Sequence, residues 1–211
     1  MAKRNPEQTR ERILEAAVAE FAENGFGGAR VDAIAERALA NKRMIYHYFG
    51  NKEDLFVAVM ERAYEQIRRH EIELDLQHRD PEQGIRELVR FTFQYFLDHP
   101  EFIRLLNNEN LYEARHVRRS TRIPELHSPL VDQLDMVLRR GESMGEFRPG
   151  VEPVQLYISI ASLGYFYLSN AATLGTIFNR NLKTKAALDE RLEHITQVVL
   201  GYLRPDGAGS P

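Results

Sequence analysis

The stretch VDAIAERALANKRMIYHYFGNK, residues Val31 to Lys52, decides how this chain is read. Val31, Ile34, Ala35 and Ala38 recur at i, i+3, i+4 and i+7, which lines one apolar face of a short helix over about 31–38. A second helix spans about 42–48, with Ile45 and Phe49 four apart and turned inward. Asn41 stands at its N-cap, where its side-chain oxygen takes up a free amide of the first turn. Lys42, Arg43, Met44, Tyr46 and His47 remain outward. They form a cationic and aromatic face on a helix short enough for a DNA major groove. The spacing by itself fits two readings, a helix-turn-helix and a pair of amphipathic helices in an ordinary bundle.

The flanks extend the pattern. Upstream, Asn5 and Pro6 open a helix as cap and first-turn residue. Ile13, Leu14, Ala17, Val18 and Phe21 line its buried face, and Asn24-Gly25 closes it. Phe26 is then placed to plug the core of a small N-terminal domain. Downstream, Asn51 caps a long helix from Lys52 to about Gln77, held by Leu55, Phe56, Val59, Met60, Ala63 and Ile67. With TRERILEAAVAEFAENGF before the pair and GNKEDLFVAV after it, residues 8–65 resemble the TetR family of bacterial repressors. Three separate pieces stand in that family's order and spacing. Beyond residue 65 the likeness is one of layout, with a further partial match near 151–180.

The resemblance implies an all-α fold: an N-terminal three-helix helix-turn-helix domain over 1–52 and a C-terminal helical ligand-binding and dimerisation domain over 53–211. It assigns DNA contact to Tyr46, His47 and Tyr48, and a phosphate grip to Lys52. Lys42 and Arg43 stand at the recognition helix N-terminus, where the dipole favours phosphate, and Arg43 can alternatively read guanine. Asn41 completes this set. Two departures from the family stand out. Ala29-Arg30 occupies the place of a capping Thr or Ser, so Arg30 inherits the phosphate contact. Leu39 occupies the place of the turn glycine, where a positive φ strains a branched residue; a turn of different detail is expected. An arm with Lys3 and Arg4 could touch phosphate or simply be a loose end.

Charge follows the same division. The chain carries a net −3, which argues against a general polyanion binder. Residues 1–52 hold 9 Lys and Arg against 7 Asp and Glu, while residues 53–211 hold 19 against 24. The small basic excess thus sits at the DNA-reading end. There is no cysteine, so disulfide and thiolate chemistry are excluded. No apolar run reaches the ~20 residues of a membrane span, and no signal-peptide core opens the chain; a cytoplasmic protein is expected. HExxH and Gly-rich phosphate loops are missing from the sequence. His70 with Glu73 and His99 with Glu101 are the near pairs, and both read as surface or helix ends. An enzyme, a metal site and a cofactor are therefore not expected.

Further along, Asp80-Pro81 caps a helix to about Asp98, and Glu101 to about Glu113 forms another. The basic run RHVRRSTR, Arg115 to Arg122, reads as a solvated connection, or else as an anion clamp. Pro124, Ser128 and Pro129 lead into a helix ending near Gly141. From Glu152 to about Thr173 the chain is nearly continuous in apolar and small residues, and a helix apolar on most faces needs cover on most faces. The last helix spans Thr184 to about Leu203, and a polar tail follows. In the family two such late helices from each subunit build a dimer, so a homodimer is expected, with Ser159, Ala161, Ser162 and Gly164 allowing close approach.

The resemblance also implies an effector site. Phe91, Tyr95, Phe102, Leu106 and Phe166 supply an apolar lining, with Asn107, Asn110 and Asn170 as polar points. The same residues describe a plain helical core. Asn107 and Asn110, three apart on one face, are the sharpest candidates. Uncharged or weakly polar aromatic, acyl or nucleobase-like effectors all fit. The combined expectation is a regulator, most simply a repressor, that binds a palindromic double-stranded operator as a dimer and is released by a small molecule. The alternative is a helical ligand-binding or scaffold protein without specific DNA reading, which the departures at Ala29-Arg30 and Leu39 keep open.

Overall fold

The computed structural model describes residues 5–205; the arm with Lys3 and Arg4 and the tail from 206 lie outside the described residues. The fold is all-α, with no strand among the described residues. Ten helices follow in order: α1 (Pro6–Gly28), α2 (Val31–Arg37), α3 (Lys42–Phe49), α4 (Lys52–Glu73), α5 (Pro81–Asp98), α6 (Pro100–Leu111), α7 (Arg122–Ser143), α8 (Pro153–Ser169), α9 (Ala171–Ile177) and α10 (Lys185–Leu203). Single 3-10 turns lie at Leu76–His78 and Val117–Arg119.

Helix starts follow local chemistry. Asn5 accepts from the Glu7 amide at 3.0 Å, Asn41 from Met44 at 2.9 Å and Thr184 from Ala187 at 3.2 Å. Asn51 accepts from the Asp54 amide at 2.9 Å while its own side-chain amide donates back to Asp54 at 2.6 Å. Helix ends differ from the sequence reading at four places. α1 is broken at Gly25 (φ +66) but resumes to Gly28. α4 stops at Glu73, short of Gln77, because Asp75 turns left-handed at φ +50. α7 begins at Arg122, ahead of both prolines. Pro124 sits in the first turn, where its missing amide has no partner to lose, and Pro129 is carried inside the helix. The apolar run from Glu152 is divided at Asn170 into α8 and α9.

The described residues fall into two compact units. The first holds the chain up to Gln66 together with His99–Leu126; the second holds Ile67–Asp98 together with the chain from His127 onward. In the first unit Ile13, Ala17, Phe21, Ile34, Ile45, Leu55, Phe56 and Val59 are wholly buried. They come from α1, α2, α3 and the start of α4, which positions the helix pair by core packing. At roughly 1.5–3 kcal/mol per large buried side chain, this cluster is the main apolar contribution that holds the helix pair in place. In the second unit α5, α7, α8 and α10 share a core of Leu88, Phe93, Leu134, Val137, Ile160, Val199 and their neighbours. A Cβ at Gly164 would lie 3.4 Å from the Phe93 ring. Gly164 thus lets α8 lie close on α5 within one chain, which removes it from the small residues assigned to a subunit contact.

Candidate nucleic-acid interface and effector region

α3 presents two chemically distinct faces. Ile45 and Phe49 are buried, while Asn41, Lys42, Arg43, Tyr46 and His47 are exposed and Tyr48 is half-buried. The ring of Tyr48 meets that of His47 edge-on at 5.3 Å. Lys42 Nζ lies 3.2 Å from the Asp32 carboxylate, so α2 orients the first cation of α3. Lys52 opens α4 with its Nζ 4.9 Å above the Phe26 ring, and partial burial there holds its pKa below the usual lysine range. Phe26 is half-buried, and it lies among Phe21, Phe56, Tyr112 and His116, the last at 4.4 Å between ring centres.

The two departures noted in the sequence are accommodated in different ways. Leu39 keeps the left-handed turn, at φ +49, and leaves its side chain 79% exposed. The expectation of a different turn is thereby corrected: the bend is retained at a cost in backbone strain. At the other junction, Arg30 caps α2 without a side-chain bond. Its backbone N–H donates instead to Oε1 of Glu20 at 3.1 Å. Glu20 is itself buried in α1 and satisfies the amide of the N-cap residue, while the first-turn amides that a capping hydroxyl would take have no side-chain cap. The guanidinium of Arg30 stays exposed.

Three features of the first unit escaped sequence reasoning. Asn108, passed over beside Asn107 and Asn110, accepts the Phe26 amide at 2.8 Å. Glu109 is buried and accepts from the His116 amide (2.7 Å), the Val117 amide (2.9 Å) and His116 Nδ1 (2.7 Å). Its only trace in the sequence is an acidic residue in a run of amides, Asn107 to Asn110. The arginines of the basic run are exposed, as in a solvated connection, but three of them are also paired. Arg115 pairs with Glu53 at 3.1 Å, Arg119 with Glu53 at 3.1 Å and with Asp54, and Arg122 with Glu65 at 2.7 Å. Ser120 Oγ donates to Glu61 at 2.6 Å. Segment 115–122 is stitched along the acidic side of α4.

The residues assigned to an effector site are divided. Phe102 is buried beside Tyr64 (5.8 Å), Leu106 is half-buried, and Asn107 and Asn110 are exposed, all in the first unit. In the second unit Tyr95 is buried and Phe91 half-buried, with ring centres 5.7 Å apart and His70 beside both. Phe166 is 58% exposed on α8, on the side that also bears Val154 and Ile158. Asn170 folds back onto its own helix, donating to the Phe166 carbonyl at 2.9 Å. On α10, Val198 and Tyr202 are likewise exposed. Among the described residues no group of His, Cys, Asp or Glu could hold a metal, and no helix is long and apolar enough to cross a membrane. His99 Nδ1 lies 3.0 Å from Glu101 at the start of α6, in partial exposure.

Comparison with known proteins agrees with this geometry. The family described as "Bacterial regulatory proteins, tetR family" matches residues 13–59, and "Tetracyclin repressor-like, C-terminal domain" matches residues 81–199. The HTH-type transcriptional repressor NicS of Pseudomonas putida is 40% identical over 198 residues, 94% of this chain and 93% of that protein. The HTH-type transcriptional repressor SCO4008 of Streptomyces coelicolor is 46% identical over 106 residues, 50% of this chain and 52% of that protein. Among solved structures, a TetR family transcription regulator from Marinobacter aquaeolei VT8 shares the fold, with a TM-score of 0.71 at 21% identity over 93% of this chain and 96% of that one.

Proposed function

The chain belongs to the TetR family of helix-turn-helix transcriptional regulators, and from that premise we propose that it is a dimeric repressor that leaves its operator when a small effector binds. Members of this family bind DNA operators and small-molecule effectors, generally as dimers, and they are regulators rather than enzymes. The observation that carries the reading is the divided surface of α3: Ile45 and Phe49 anchor it while Lys42, Arg43, Tyr46 and His47 are exposed on an Asn41-capped helix. The chain divides functionally into a reading head, 1–52, and an effector and dimer region, 53–211. Arg43 and Tyr46 contact bases, Lys42, His47, Arg30 and Lys52 contact phosphate, and the half-buried Tyr48 both packs and reaches DNA.

The dimer forms through α8 and α10, whose exposed Val154, Ile158, Phe166, Val198 and Tyr202 need an apolar partner. Phe166 therefore moves from the effector set to the subunit contact, and Asn170 becomes a helix cap. Phe91 and Tyr95, adjacent in the second unit, stay as apolar effector contacts. The protein works in the cytoplasm, where its operator is. Two dimer-related heads read successive major grooves of an inverted repeat. The effector shifts the balance only by binding the released state more tightly. NicS and SCO4008 are both named as repressors, which supports that sign of control. The test is selection of bound duplexes from a random pool at about 150 mM salt, where backbone attraction alone is weak. Enrichment of an inverted repeat is the expected result; an unenriched pool sinks the proposal.

A further inference from the structure

The last turns of α4 carry a charge pair into the core of the second unit. Arg68 is 3% exposed and Glu71 0%. The guanidinium lies in ion contact with the Glu71 carboxylate, and its Nη2 donates to the Tyr157 hydroxyl at 2.5 Å. That hydroxyl in turn donates to Glu71 Oε1 at 3.4 Å. The guanidinium plane also rests 4.9 Å from the Tyr157 ring centre. Tyr157 belongs to α8, so the cluster joins the end of α4 to the helix that bears the proposed dimer face.

The cluster is incomplete. Among the described residues Arg68 Nε has no hydrogen-bond partner, and the contact between Nη1 and Glu71 Oε2 is not a hydrogen bond at either atom. A buried ion pair with unmet donors is costly, and two apolar side chains of similar volume would hold these helices better. An unmet N–H on a cation calls for an acceptor, and the acceptor that matches a guanidinium in charge and shape is a carboxylate. Glu71 is a yielding counter-ion: burial pushes its carboxyl up to about 7, with Arg68 and Tyr157 pulling only part of the way back. When Glu71 takes a proton, Arg68 is left as an uncompensated cation.

We propose that Arg68, positioned by Tyr157 and Glu71, is the effector-recognising residue and that the effector is a small carboxylic acid. This rests on reading the protein as an effector-responsive regulator, and it departs from the uncharged ligands that the aromatic and amide residues suggested. The incoming carboxylate takes the Nε side of the guanidinium and weakens the Arg68–Glu71 attachment. A contact on α4 is well placed for control, because that helix begins at Lys52, directly after the reading head.

The experiment uses the full chain and matched probes: benzoate with benzamide, phenylacetate with phenylacetamide, octanoate with octanamide. Each is tested up to about 1 mM, which registers weak binding, by thermal shift and by release of the selected operator duplex. At least one acid should act at about tenfold lower concentration than its amide. Arg68→Met should abolish that response while operator binding persists. Should Arg68→Met fail to fold, Arg68→Met with Glu71→Leu removes the stranded carboxylate and replaces it as the test. Amides equal to their acids, an unchanged response in the Arg68 variants, or no acid acting would each overturn the proposal. Operator binding without ligand is measured first. Its absence would sink the DNA-reading function, while the thermal shifts would still decide the carboxylate question.

Discussion

Asn108 Oδ1 accepts the Phe26 backbone N–H at 2.8 Å, and the Nδ2 of the same side chain lies 2.5 Å from where a Cβ at Gly25 would stand. Gly25 also takes φ +66. The break in α1 and the amide on α6 are therefore one device. Gly25→Ala should cost about 1–2 kcal/mol through the backbone alone, and Asn108→Ala about 1–2 kcal/mol through the stranded amide. Because the two share a contact, the double variant should lose less than the sum. Urea unfolding of the four proteins checks this.

Leu39 gives a prediction of opposite sign. Its left-handed φ of +49 costs a branched residue roughly 1–2 kcal/mol, and its exposed side chain contributes little packing in return. Leu39→Gly should stabilise the protein by up to about 1 kcal/mol, after allowance for the greater freedom of glycine in the unfolded chain. A midpoint that falls in urea would show that Leu39 has a packing role the exposed surface does not reveal.

The reading head predicts a division between base and phosphate contacts. Arg43→Ala should weaken binding to the selected operator by about 1–3 kcal/mol and relax preference at one position of the half-site. Lys42→Ala should weaken all duplexes alike and lower the salt exponent by about one. Fluorescence anisotropy over a salt series separates the two. Asn41→Ala, which removes the cap of α3, should cost about 1 kcal/mol of stability together with operator affinity.

Glu71 predicts a pH dependence. Its carboxyl titrates at about 7 in the folded chain, above the ordinary 4.5. Between those values the unfolded chain ionises while the folded one keeps its proton. Stability is thus highest below about 4.5 and falls as pH rises to 7, by an amount on the order of a few kcal/mol from this group. Arg68→Met with Glu71→Leu should remove that slope and raise the melting temperature most at pH 7 to 8. Melting curves across pH 5 to 8 for both proteins provide the comparison. Parallel curves would mean that the pair stays ionised throughout.

The head was readable because its signals are local. Asn41, Ile45 and Phe49 declare a cap and a buried face within nine residues, and the structure has both. The supports of the head were not readable for the opposite reason. Glu20 and Arg30 lie ten residues apart across a helix junction, and Asn108 lies 82 residues from Phe26. Asn107, Asn108 and Asn110 carry the same amide, so periodicity could not single out the middle one. Arg68 and Glu71 sit in the polar string RRHEIE, where charge argues for a solvated end. Their burial involves a residue 86 or more positions away, Tyr157 of α8, which no local pattern reveals. Phe166 misled in the other direction: an aromatic in an apolar helix suggests a lining, yet its face of α8 is open within one chain.

The stitching of segment 115–122 to α4 alters what a titration with salt measures. Arg115, Arg119 and Arg122 occupy carboxylates at Glu53, Asp54 and Glu65, immediately beyond the end of the head. Such exposed pairs weaken in the same range of ionic strength that displaces counter-ions from DNA. Added salt then acts on both partners of the complex at once: it screens the phosphates and it slackens the footing from which the head reaches them. The apparent number of ions exchanged on binding will exceed the number of phosphates touched, and the surplus is a gauge of how firmly α4 is held.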